Sequence, residues 1–167
     1  MLDQTDTQTI LAQYANGPSL LGSALAGLCE TDLDLALSVD SWTIRQIVHH
    51  TVDGDDLWKT CIKMALGNCN ALFSLQWYTA KSQIEWAESW AYPQRGVAAS
   101  LALYSANRRH IVDLLEHVPN ACEKTIRFQP SAKPEMCITV LDVIELHVRH
   151  LAEHIESIQA IRKVYGV

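Results

Sequence analysis

Apolar residues recur at helical spacing in four long stretches of this chain, separated by polar segments or segments bearing Gly and Pro. The first stretch runs from about Thr7 to Cys29, and Gly17-Pro18 inside it predicts a kink or break. Residues 31–41 read as a connector. Ser41 is a suitable N-cap for a second helix reaching Leu66, with Gly67 and Asn68 as C-cap residues. Residues 69–95 contain Trp77, Trp86 and Trp90 and read as a short helix plus loop. A third long helix spans about Val97 to His117 and stops before Pro119. Residues 119–136 hold Pro119, Pro130 and Pro134 and read as a loop, and a last helix runs from about Thr139 to Tyr165, ahead of Gly166. Few stretches alternate as strands do. The pattern predicts an all-α fold: a four-helix bundle with at least one long connection, formed by residues 1–167 as a single domain.

Composition narrows the function classes. Apolar residues make up 49% of the chain and charged residues 19%, a globular balance. The net charge is −6 and the 13 Lys and Arg are scattered, which argues against a nucleic-acid partner. No apolar run approaches the roughly 18 residues of a membrane span. The opening MLDQTDTQTI carries no Lys or Arg and does not read as a secretory leader, so a cytoplasmic location is expected. The five cysteines form no CxxC pair and are expected to be mostly small core residues. No GxGxxG, P-loop or GxSxG motif supports nucleotide binding or a serine hydrolase.

Histidine carries the candidate chemistry. Five of the seven fall in two predicted helices: His49 and His50, then His147, His150 and His154. His150 and His154 are spaced i, i+4, which sets two imidazoles one turn apart on one side of a helix, where they can share an ion. On the helical wheel, Ile144, Val148, Leu151, Ile155 and Ile158 form an apolar stripe, and His147, His150 and His154 lie along one edge of it. On the second helix, His50 falls at the edge of the arc containing Ile44, Ile47, Val48, Trp58, Cys61 and Ala65. His49 points the other way and is expected at the surface. An inward histidine can also be a core residue bonded to a carbonyl, but three at facing helix edges favour a shared metal. The Trp77–Tyr92 stretch reads as core or dimer-interface packing, and Arg108 and Arg109 as a helix-surface pair.

The segment from Trp42 to Asp53 resembles the second-helix signature of the DinB/YfiT-like superfamily: a Trp, a Ser or Thr, a His eight residues after the Trp, and an Asp three further on. His50 and Asp53 occupy the last two positions. His147 to Ile155 resembles the family's last-helix HxxxH, Asn16 to Leu28 its first helix, and Arg108 to Leu115 its third. The resemblance implies a four-helix bundle with a long crossover connection, a nickel or zinc site at His50, His150 and His154, and a homodimer. It further implies a small-molecule substrate and either thiol transfer, using a low-molecular-weight thiol such as bacillithiol or mycothiol, or metal-dependent hydrolysis. The chain departs from the family pattern at His147, one turn before the HxxxH, which could be a supporting residue or an alternative ligand. Asp53 and Glu153 each lie within a turn of a ligand and could orient an imidazole. Neither sits on the inward face as firmly as the histidines, so thiol transfer is preferred over hydrolysis, with a non-catalytic metal-binding module as the remaining alternative.

Overall fold

The computed structural model describes residues 4–131 and 133–167, and 68% of the chain is helical. Four long helices carry the fold: α1 (Gln4–Leu25), α2 (Ile44–Gly67), α5 (Ala98–His117) and α6 (Val140–Tyr165). Their main packing partners set the ring order α1–α5–α2–α6, so α1 and α2, consecutive long helices in the chain, face each other diagonally.

Local sequence fixes where the helices begin. Thr43, not Ser41, caps α2: its hydroxyl accepts from the Gln46 N–H, while the Gln46 side chain accepts from the Thr43 N–H at 2.9 Å. Ser41 instead closes the preceding turn with Ser38. Thr139 and Asp142 form the same reciprocal cap at the start of α6.

Of the kink or break expected at Pro18, a break is ruled out: α1 runs through it. Proline has no N–H for the carbonyl of Tyr14, four residues back. That carbonyl accepts instead from Arg108 Nη1 of α5 at 3.1 Å. Gly17 lets the helices approach this closely, because a Cβ there would lie 3.0 Å from the Tyr104 hydroxyl and 3.1 Å from Leu151 Cδ2.

The two connectors hold more order than expected. Residues 69–95 contain strand β1 (Leu72–Ser74) and short helices α3 (Gln76–Thr79) and α4 (Gln83–Ser89). The segment read as a proline loop contains β2 (Thr125–Gln129) and leads into β3 (Met136–Thr139), with Pro130 and Pro134 just outside the strands. β2 is central, parallel to β1 with Phe73 opposite Phe128, and antiparallel to β3 with Ile126 opposite Ile138. This small sheet covers one end of the bundle. Its Phe73, Ile126 and Ile138 join Tyr14, Ile62, Ile111 and Ile144 in one apolar cluster. A second cluster of Leu21, Ile47, Val48, Tyr104 and Ile158 fills the rest of the bundle.

The cysteines depart from expectation, whereas most of the aromatic stretch packs against the core as expected. Of the five cysteines only Cys61 is buried, its thiol pushed up to about 12 by burial; Cys29, Cys69 and Cys137 are exposed. In the aromatic stretch, Trp86 packs between Tyr78 and Trp90 in stacked and tilted contacts within the protein, while Trp77 is about half exposed. No helix among the described residues is long and apolar enough to cross a membrane.

Candidate metal centre

Where α2 packs on α6, three imidazoles meet. His50 Nε2 lies 3.1 Å from His150 Nε2, and His154 Nε2 lies 3.0 Å from the same atom. One ligand atom from each of the three lies within 4.8 Å of the others. The Trp42 ring closes the outer side, edge-on to His50 with centroids 4.6 Å apart and stacked on His154 at 6.3 Å.

Burial decides the charge state. It pushes His50 down to about 4, aided by the neighbouring His154, and His150 down to about 3, aided by His154, His50 and His147. His154 is lowered for the same first reason, against the opposing pull of Glu153. Neutral imidazoles near pH 7 keep a lone pair on one nitrogen each. His150 Nε2 has one proton or one lone pair, so it cannot serve two neighbouring nitrogens equally well. Converging neutral nitrogens of this kind suit a cation better than they suit one another.

The other predicted residues are placed differently. His147 is buried outside the triad, with Nδ1 3.2 Å from Asp55 Oδ1. Asp53 turns to a separate cleft lined also by Trp90 and Arg95, its carboxylate 3.9 Å from Arg95 Nη1. Glu153 is exposed. His49, expected at the surface, is fully buried: Nδ1 pairs with Ser100 Oγ at 2.9 Å, Nε2 with the Arg95 carbonyl at 3.2 Å, and the ring stacks on Tyr92. The single-stripe wheel failed here because α2 is enclosed on several sides, by α5, α6 and the turns at residues 32–34 and 92–94.

Sequence reasoning missed the polar group behind the site. Arg108, read as a surface residue, is 2% exposed and Asp55 is equally buried. Arg108 Nε stands 2.7 Å from Asp55 Oδ1, an ion-pair distance, although its N–H is not aligned for a hydrogen bond. The guanidinium also lies 3.7 Å from the centre of the Tyr14 ring. Asp55 continues the Val48–Val52 register inward, and Gly17-Pro18 frees a carbonyl. Together these were the available signals.

A cavity of about 300 Å³ opens beside the triad, lined by His50, His147 and His150 together with Gly54, Trp58 and Leu75, among others.

A helical bundle with three histidines gathered from its second and last long helices defines the class of protein. Residues 13–158 match the model of the DinB superfamily, and the chain belongs to that family. It is 27% identical over 143 residues to a protein of Bacillus mycoides (strain KBAB4), covering 85% of this chain and 79% of that one. It is 28% identical over 164 residues to a protein of Bacillus licheniformis, covering 98% and 89%. Both relatives bear the name "Putative metal-dependent hydrolase". Among solved structures, YfiT from Bacillus subtilis, described as "a probable metal-dependent hydrolase with an unusual four-helix bundle topology", shares the fold. It has a TM-score of 0.82 at 20% identity, covering 99% of this chain and 91% of that one.

Proposed function

We propose that His50, His150 and His154 hold one divalent ion, nickel or zinc, and that the protein is a metal-dependent enzyme acting on a small molecule. The observation that carries this reading is the convergence of three neutral Nε2 atoms, 3.0 and 3.1 Å apart along two sides. Imidazole nitrogens about 2.0–2.1 Å from a tetrahedral zinc stand ~3.3 Å from one another, so small side-chain shifts suffice. The names of the relatives point to the same dependence on metal.

When bound, the ion would supply Lewis acidity and lower the pKa of a thiol or water at its remaining position. The chain's own residues do the rest. Three uncharged ligands leave the ion's positive charge unneutralised, which favours an incoming thiolate. Neither Asp53 nor Glu153 lines the cavity, and no carboxylate is among its lining residues, which supports transfer of a low-molecular-weight thiol to an electrophile. Hydrolysis has support of its own. His147 lines the cavity and is braced by Asp55, which suits a base that takes a proton from water, and the relatives are named as hydrolases.

The experiment has two parts. Metal analysis of the purified protein should find one nickel or zinc per chain. The loaded protein is then given an electrophilic substrate with and without bacillithiol, mycothiol or glutathione, and a panel of esters and amides without thiol. Thiol-dependent turnover is expected. Thiol-independent turnover that is lost in His150→Ala would establish hydrolysis instead, and no turnover of either kind would leave a metal-binding module.

A further inference from the structure

The surface of the cavity beside the triad is mostly apolar. Leu57, Trp58, Leu75 and Leu146 supply apolar surface, and no Asp, Glu, Lys or Arg is among the lining residues. Of its polar groups, the Tyr78 hydroxyl donates to Gln83 Oε1 at 2.8 Å, while His147 Nε2 has no hydrogen-bond partner among the described residues. At about 300 Å³ it sits at the small end of the roughly 300–1,000 Å³ typical of ligand sites.

Gly54 lines this cavity from well inside α2. Glycine is the poorest helix former after proline. Nothing in the backbone asks for it here, because the glycines with positive φ among the described residues are Gly27 and Gly166. Nor does packing ask for it: a Cβ at position 54 would meet only His150 Cε1, at an ordinary contact distance of 3.7 Å. Gly17, by contrast, is hemmed in on two sides. The missing side chain at position 54 leaves the cavity open right up to His150.

We propose that this cavity binds the uncharged apolar group of the substrate, a single ring or a branched chain, while the substrate's polar head reaches the three histidines, and that Gly54 is the position that admits it. The inference rests on the metal reading above. A carboxylate or phosphate carried into the cavity beyond reach of the ion would lose its hydration and meet no Lys or Arg among the lining residues, so an anionic group is disfavoured there. A flat or branched apolar group would lie against Trp58 and the three leucines and displace water from them.

Hydroxamates test this, because they bring a metal-binding head on a variable carbon group. Zinc stoichiometry is measured first, then binding of acetohydroxamate, benzohydroxamate and 4-carboxybenzohydroxamate by calorimetry. The ring should tighten binding about tenfold or more over the methyl group, and the added carboxylate should cancel that gain. Gly54→Ala should raise the melting temperature by a few degrees. Gly54→Leu should keep zinc stoichiometry, weaken benzohydroxamate about tenfold, and change acetohydroxamate by less than about threefold. Leu75→Trp fills the same cavity from the segment joining β1 to α3 and should act alike, which covers the case in which Gly54→Leu folds poorly. Zinc uptake with no preference for the ring, or a preference that survives both substitutions, overturns the inference alone. No zinc uptake by the unaltered protein overturns the metal reading and this inference together.

Discussion

Replacing Arg108 with Met tests the polar group behind the site most directly. The guanidinium faces Asp55 at 2.7 Å, donates to the Tyr14 carbonyl at 3.1 Å, and is 2% exposed. Its loss leaves a buried carboxylate without its cation, a change that costs about 3–5 kcal/mol. It also strands the Tyr14 carbonyl, because Pro18 has no N–H to offer it, which costs about 1–3 kcal/mol. For a chain of this size a loss of at least 4 kcal/mol corresponds to a fall in Tm of roughly 8–16 °C. Two companion variants separate the contributions. Asp55→Leu with Arg108→Met removes both charges and should recover at least about 2 kcal/mol of the loss. Pro18→Ala restores the helical N–H, and it should stabilise the Arg108→Met protein about 1 kcal/mol more than it stabilises the unaltered one, whose carbonyl already has a donor. Guanidinium unfolding followed by far-UV circular dichroism reads all of these. Arg108→Met costing under about 1 kcal/mol, or strictly additive variants, would refute the reasoning.

Acid should weaken the metal-free protein. Burial holds His50 at about 4 and His150 at about 3 in the fold, against about 6.5 in the unfolded chain, so below pH 6.5 the unfolded state binds more protons. Stability is therefore full above pH 6.5 and lost progressively as pH falls toward 4 and 3, and His50→Gln should flatten a urea midpoint measured across that window. His50→Ala should abolish stoichiometric metal binding, whereas His49→Ala should keep it and lower stability by about 1–3 kcal/mol by stranding Ser100 and the Arg95 carbonyl, as equilibrium dialysis and thermal melts would show. Thr139→Ala should cost about 1 kcal/mol through loss of the α6 cap, read from the shift in denaturation midpoint.

The helices were legible because long amphipathic segments repeat one signal many times. α5 and α6 begin and end within a residue or two of the periodic pattern. The sheet was not, because β1 has three residues and β2 turns only Ile126 fully inward, too few alternations to outweigh three prolines. The three clustered histidines were readable from spacing and stripe edges. His49 and Arg108 were not, because each is buried through partners contributed by distant segments: Ser100 on α5 and the Arg95 carbonyl for His49, Asp55 on α2 and Tyr14 on α1 for Arg108. Periodicity within one helix carries no information about such pairings.

Order of synthesis gives the triad a timetable. His50 and His150 are separated by 100 residues, and the helix that supplies two of the three imidazoles is the last element of the chain. Until α6 docks, α1 and α2 each lack one of their two main neighbours. A ribosome-bound chain ending before residue 140 therefore presents a lone imidazole from the triad and an open apolar seam. Closure of the bundle by α6 and assembly of the triad draw on the same long-range contacts.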